Sequence, residues 1–481
     1  MLEEEIKHKA VRSVVALTLR TVFLQGVQVV SLFFLQIFLS PAQIGVFFVA
    51  TAASQMLTLF TDVGLGAALV QKKEEISELD IKIVFTIQEI LVLLAIALGI
   101  IISPIIQTRT VLTGDGMVLY FVLLFLLFIS SLKVIPSILL ERKLAFEKQV
   151  FPQVIETVIY YLIVVILAWK GWGVSSYSWG FLVSALVSLP IYYWLSPWKI
   201  GFALDLKRAK NLFSFGILYQ GKSFLAIIKD NLFTVFLSSI VGTSGVGYWG
   251  TAQKWAYFPY RFVVDSVTKV TFPAYSRVQK DLEILRGGIE RSLFMVSLIL
   301  FPFYGIMVII IRDLINLIPK YNKWEPIVIS FYFLCAQAAI AALTNILVNV
   351  LDATGRVKTT LGLMILWTIG TWGVTLILIS QFGFTGIAIA QFIVSLTIAL
   401  VIYLVRKLVN FEFIRNVWPP LVATAIMMGA MVTLRNVLPV SFLSVLVTTV
   451  SGGIIYLTAV WFIAKQKIKE IILLILKAYQ R

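Results

Sequence analysis

Arg261, Asp265 and Lys269 stand four residues apart in the apolar run Gly250–Lys269, and Lys254 stands seven before Arg261. At helical spacing these side chains share one face. A neighbouring run, Leu218–Asn231, carries Lys222 and Lys229, again seven apart, together with Asp230. A charge in a bilayer core is costly and turns to a bundle interior or a watery cavity. Five cations against two acids predict a lining that attracts an anion, phosphate above all. The plainer alternative is internal pairing of Lys229 or Arg261 with Asp230 or Asp265, with Lys222, Lys254 and Lys269 snorkelling. Pro259 and Pro273 supply bend points. Trp255, Tyr257 and Tyr260 could stack on sugars or simply pack.

Other intramembrane charges are scattered. Arg20 lies in the first apolar run, where it either reaches the same cavity or snorkels. Lys133 precedes Pro136. Asp62 and Glu89 are single acids in apolar surroundings, either proton or sodium coupling sites or partners for Arg20 and Lys133, with pairing the safer expectation. Glu156 is similar and less informative. Gln25, Gln28, Gln36 and Gln55 give the first two runs a polar stripe, suited to sugar hydroxyls or interhelical hydrogen bonds. Enzyme signatures are missing: no P-loop, no cysteine cluster and no histidine–acid pair, since Cys335 and His8 are the only residues of their kinds. Neither a metal site nor a cofactor is expected, and the chain is read as a non-enzyme.

The elements that must hold these residues are membrane spans. Of 481 residues, 60% are hydrophobic and 13% charged, and runs of about 20 apolar residues recur from end to end. The expected fold is an all-α polytopic membrane protein of about fourteen transmembrane helices. Their limits fall near 13–39, 42–69, 83–106, 118–140, 151–168, 176–196, 213–239, 246–275, 290–311, 326–351, 359–380, 385–405, 417–435 and 443–464. The net charge is +16, but its distribution argues against a nucleic-acid partner. Of 40 Lys and Arg residues, 27 fall on the side of the amino terminus, 6 on the other and 7 within or near spans. Such a bias places both termini in the cytoplasm of a plasma (inner) membrane protein. The first residues lack the form of a cleavable signal peptide.

A weak repeat links the halves. Leu24-Gln-Gly26 matches Tyr219-Gln-Gly221, Ile44-Gly-Val-Phe-Phe-Val-Ala50 matches Val246-Gly-Tyr-Trp-Gly-Thr-Ala252, and Trp172-Gly-Val-Ser175 matches Phe382-Gly-Phe-Thr385. The shift is six spans, so the halves share an orientation and a pseudo-twofold along the membrane normal is expected, with a site between them. The expected organisation is an amino-terminal lobe over 1–200, a carboxy-terminal lobe over 201–410 and two extra helices over 411–464. A basic amphipathic tail over 465–481 then lies on the inner leaflet, in contact with membrane lipids.

Ser40-Pro-Ala-Gln-Ile-Gly45, Asp62-Val-Gly-Leu-Gly-Ala-Ala-Leu-Val-Gln71, Leu140-Glu-Arg-Lys-Leu-Ala-Phe-Glu-Lys148 and Gly355-Arg-Val-Lys358 together carry a resemblance. The chain resembles the Wzx-type polysaccharide flippases of the multidrug/oligosaccharidyl-lipid/polysaccharide exporter superfamily over its whole length. The resemblance implies two six-helix lobes with two additional helices, a central cationic cavity and alternating access. It implies an undecaprenyl-pyrophosphate-linked oligosaccharide as substrate, H+ or Na+ as coupling ion, and polysaccharide polymerase or assembly proteins as partners. The competing readings are a lipid II flippase, a multidrug extruder of the same superfamily and a non-transport scaffold.

Overall fold

The computed structural model describes residues 2–61, 69, 76–110, 112–143, 145–205 and 227–479. Among these the chain is helical, with no strand. The helices are α1 (Leu2–Phe38), α2 (Pro41–Thr61), α3 (Glu78–Arg109), α4 (Asp115–Arg142), α5 (Phe146–Trp169) and α6 (Ser175–Leu195). A π-helical turn (Ile228–Leu232) leads into α7 (Phe233–Val278). Then follow α8 (Leu282–Leu317), α9 (Ile327–Ala353), α10 (Val357–Phe382), α11 (Phe384–Ser395), α12 (Ile398–Arg406), α13 (Phe413–Val437) and α14 (Phe442–Tyr479).

Thirteen described stretches are long and apolar enough to cross a membrane. The difference from fourteen lies at one point. The stretch Lys229–Val278 has 50 residues, or ~75 Å of helix against a ~30 Å hydrocarbon core. It is interrupted at Gly242, with φ 67° and ψ 177°, a conformation essentially reserved for glycine. The expected seventh and eighth spans therefore meet at this glycine. Most of the seventh, with Lys222, lies outside the described residues, as does Asp62. α11 and α12 together form one span, Phe384–Arg406, and the Trp367 indole N–H of α10 donates to Thr397 Oγ1 at their junction (2.8 Å).

The chain divides into two compact units, Met1–Gly247 and Tyr248–Arg481. In the first, α5 packs on α6 and α1, α4 on α6, and α2 on α3 and α4. α3 starts at a capping box: Ser77 Oγ accepts from the Asp80 N–H and the Asp80 carboxylate from the Ser77 N–H, which satisfies donors that a helix start leaves open. Below the cap, Ile83, Val84, Phe85 and Ile87 pack against Ile135, Ile138 and Leu69. Arg142 Nη1, at the end of α4, donates to the Leu69 carbonyl (2.8 Å).

The start of α2 meets the segment after Gly242 backbone to backbone. A Cβ on Gly45 would overlap the Thr243 carbonyl, and one on Gly247 the Pro41 carbonyl. Such an approach is open only to residues without a side chain. These glycines head corresponding segments of the sequence repeat.

In the second unit α8 packs on α9, α13 and α14, α13 on α14, and α9 on α11 and α12. One seam of this unit positions the charged face of α7. Gln337 Nε2 donates to Tyr257 Oη (2.8 Å), Thr268 Oγ1 to Asn345 Oδ1 (3.1 Å), and Asn349 Nδ2 to Thr271 Oγ1 (2.8 Å). The partners are 80, 77 and 78 residues apart. A near-constant offset means that α7 and α9 run parallel here, as spans separated by an even number must. Arg435, on the last turn of α13, closes on Asp313 of α8: Nη2 lies 2.7 Å from Oδ1 and Nε donates at 3.0 Å. α14 leaves helical geometry at Ala464 (φ −127°, ψ 27°). Just beyond, the Lys467 ammonium donates to the Arg415 carbonyl and to Asn416 Oδ1.

Candidate functional site

The α7–α9 seam fixes the rotation of α7. Tyr257, Thr268 and Thr271 face α9, and at ~100° per residue the Lys254, Arg261, Asp265 and Lys269 face lies roughly 80° further round. Lys254 is half-buried, whereas Arg261, Asp265 and Lys269 are exposed. Lys254 feels the charge of Arg261, so two cations one heptad apart reinforce each other's field. Arg261 forms no ion pair with Asp265 or any other described residue, and Lys269 forms none. The guanidinium therefore keeps its planar fork of donors, which matches a phosphate bidentately. Tyr260 feels the charge of Arg261, and its ring lies 5.3 Å from that of Tyr257 at 48°.

Lys229 differs. It stands on the π-helical turn and pairs with its own neighbour Asp230 at 3.5 Å. A single π-turn in a long helix is often a functional irregularity, and this one packs against α2. Lys229 is half-buried and Asp230 exposed. Such a pair is weak, because water competes for both partners.

In the first unit Lys133 is buried and paired, but with Glu156 of α5 (2.9 Å), not with Glu89 as the sequence suggested. The reason is the helix face: Ser131 of α4 is the residue beside Glu89, and Lys133, two residues on at ~100° per residue, lies on the other side of α4, where Glu156 reaches it. Arg20 of α1 is half-buried, and its Nε has no hydrogen-bond partner. Its charge acts on Tyr192 of α6, as does that of Glu156. Glu89 is buried, and neither carboxylate oxygen has a hydrogen-bond partner.

Sequence reasoning missed Gln337, Asn345 and Asn349, the amides that hold the cationic helix. Their signal was available: three amides in one apolar span, the last two four residues apart and so on one face. It also missed Asp313, whose partner Arg435 reads as an ordinary loop cation. Among the described residues no group of three or more His, Cys, Asp or Glu could hold a metal ion.

These elements define a class: a multi-pass helical membrane protein with the fold of membrane transporters. The structure "Lipid II flippase MurJ, inward closed conformation" superposes with a TM-score of 0.73 at 14% identity, over 94% of this chain and 99% of that one. An inward-facing multidrug resistance MATE family transporter of the MOP superfamily superposes at 0.62 and 16% identity, over 82% and 98%. At these identities the likeness is one of fold. The family model for polysaccharide biosynthesis proteins matches residues 34–329, and the chain belongs to that family. It is 28% identical over 286 residues to the succinoglycan biosynthesis transport protein ExoT of Rhizobium meliloti (strain 1021), covering 58% of this chain and 56% of ExoT. It is 24% identical over 357 residues to the lipopolysaccharide biosynthesis protein WzxC of Escherichia coli (strain K12), covering 70% and 68%. The chain thus spans little more than half of the first relative and about two thirds of the second. The fold and the family agree with the resemblance that the sequence motifs carry.

Proposed function

We propose that the chain flips an undecaprenyl-pyrophosphate-linked oligosaccharide from the cytoplasmic to the outer face of the inner membrane by alternating access. The observation that carries this reading is the unpaired Arg261, one heptad from Lys254 on the face that the α7–α9 seam holds in place. The cations meet the diphosphate, and Tyr257 and Tyr260 offer rings to the glycan. Arg20, Lys222 and Lys229 are further candidate contacts for the same anion. Asp265 and Asp230 set how much of that positive charge is free. A proton or sodium gradient supplies the energy, polysaccharide polymerase or assembly proteins take over the product, and both termini face the cytoplasm.

Binding of undecaprenyl-pyrophosphate glycan to the purified protein tests this. Arg261→Gln is expected to weaken it ~10- to 100-fold, as loss of a charge-assisted bidentate contact does, with an unchanged melting temperature. Equal binding by wild type and variant would remove Arg261 from the site. Preference for lipid II across several glycans would move the substrate to a peptidoglycan precursor.

The orientation has its own test. Cysteines at Thr113 and Gln381, both exposed, are expected to react with a membrane-impermeant maleimide added to intact cells. Reaction only in inverted vesicles would reverse the topology. The adjacent Gly114 and Gly383 have φ of 50° and 55° and would be strained by any side chain.

A further inference from the structure

Glu89 stands 11 residues into α3, ~16 Å from its start. Its carboxylate is buried and unanswered. Among the described residues, the groups nearest to it are these. Ser131 of α4 is within hydrogen-bonding reach of Glu89, and while its one hydroxyl proton goes to the Phe128 carbonyl (2.7 Å) only its lone pairs are left for the acid. Lys133, two residues on, is taken by Glu156. Tyr193 of α6 is within electrostatic reach, and its hydroxyl donates to the Leu132 carbonyl (3.1 Å). Arg20 is within electrostatic reach of Tyr192, as is Glu156. The described part of α2, which also packs on α3, has no titratable side chain.

An ionised carboxylate here has no counter-cation among the described residues, and the one hydroxyl in reach is bonded elsewhere, which disfavours it. A neutral carboxyl removes that penalty. It also supplies the one thing the Ser131 oxygen can use, an O–H to accept from. We propose that Glu89 is a proton-binding site: with α3 and α4 packed as here it holds a proton, donated in a hydrogen bond to Ser131. When the packing opens and water enters, the proton passes to water, leaving the carboxylate hydrated. Exchange of this proton then accompanies transport, which makes Glu89 the coupling residue; that last step rests on the flippase reading above, whereas the proton site does not.

Infrared spectroscopy of the full chain in liposomes reads the site directly. At neutral pH the wild type is expected to show a protonated-carboxyl carbonyl band that is absent in Glu89→Gln, and that variant, a mimic of the neutral acid, is expected to keep the wild-type melting temperature. Dicyclohexylcarbodiimide, an apolar reagent for protonated carboxyls, is expected to modify Glu89 and not Glu156. No band difference between wild type and Glu89→Gln overturns the site. In proteoliposomes loaded with undecaprenyl-pyrophosphate glycan, an imposed pH gradient is expected to accelerate flipping by the wild type and by Glu89→Asp, and not by Glu89→Gln. An unchanged gradient response in Glu89→Gln overturns the coupling. A wild type that flips none of this lipid refutes the substrate reading, while the infrared band still decides on Glu89.

Discussion

Arg435→Gln is expected to lower stability by about 2–4 kcal/mol, and the double variant Asp313→Asn/Arg435→Gln to recover most of that loss. Removing one partner of a buried ion pair costs ~3–5 kcal/mol, because the other charge stays behind without its counter-ion. The side chain of Asp313 is 8% exposed and that of Arg435 35%. The arginine is therefore partly solvated, and the expected loss falls below the buried limit. Replacing both leaves two amides that can hydrogen-bond each other, so no stranded carboxylate remains. Thermal unfolding in detergent micelles reads the difference. A double variant no more stable than the single one would show that the pair matters for shape and packing and not for its charge. The position adds weight: this link joins the ends of α8 and α13.

The second large effect is expected at Gly45 and Gly247. Alanine at either position puts a methyl group onto a main-chain carbonyl, and a carbonyl within a helix start cannot turn aside as a flexible side chain can. Overpacking of this kind costs ~1–3 kcal/mol, equivalent to about 5- to 150-fold in the population of the packed arrangement. Hydrogen exchange of amides 42–47 and 243–249 is expected to quicken by that factor, with little change in the α9–α11 region. Unaltered exchange in both variants would mean that the backbones relax without separating, and the contact would then hold nothing closed. Gly116, whose Cβ would meet only the tip of Val46 and Leu112, is the control: flexible side-chain ends can yield, so Gly116→Ala is expected to change exchange little.

The spans were readable because an apolar run of the required length states its own case. Lys229–Val278 shows it: the expected limits 213–239 and 246–275 leave a gap at 240–245, and the backbone breaks inside that gap, at Gly242. The cationic face of α7 was also readable, since spacing by four or seven needs no tertiary knowledge. Partner choice was not. Lys133 had two acids in neighbouring spans, both of which pack on α4, and the face on which its side chain lies decided for Glu156. Nothing local told Arg435 that Asp313 lay opposite. The glycine contact was half legible: the repeat aligned Gly45 with Gly247, but that two corresponding residues touch each other is a fact of the folded chain.

The break at Gly242 also bears on how the chain enters the bilayer while it is being made. Between Asp230 and Lys254 there is no charged residue at all, so the two apolar segments that meet at this glycine emerge from the ribosome with nothing polar enough to hold the turn back on either side. Neither segment can declare its own direction. Orientation has to be inherited from the basic residues that flank the pair, Lys207, Arg208 and Lys210 before it and Arg277 and Lys280 after it. The two apolar segments are thus expected to take their direction as a pair, with no charged residue at the break between them.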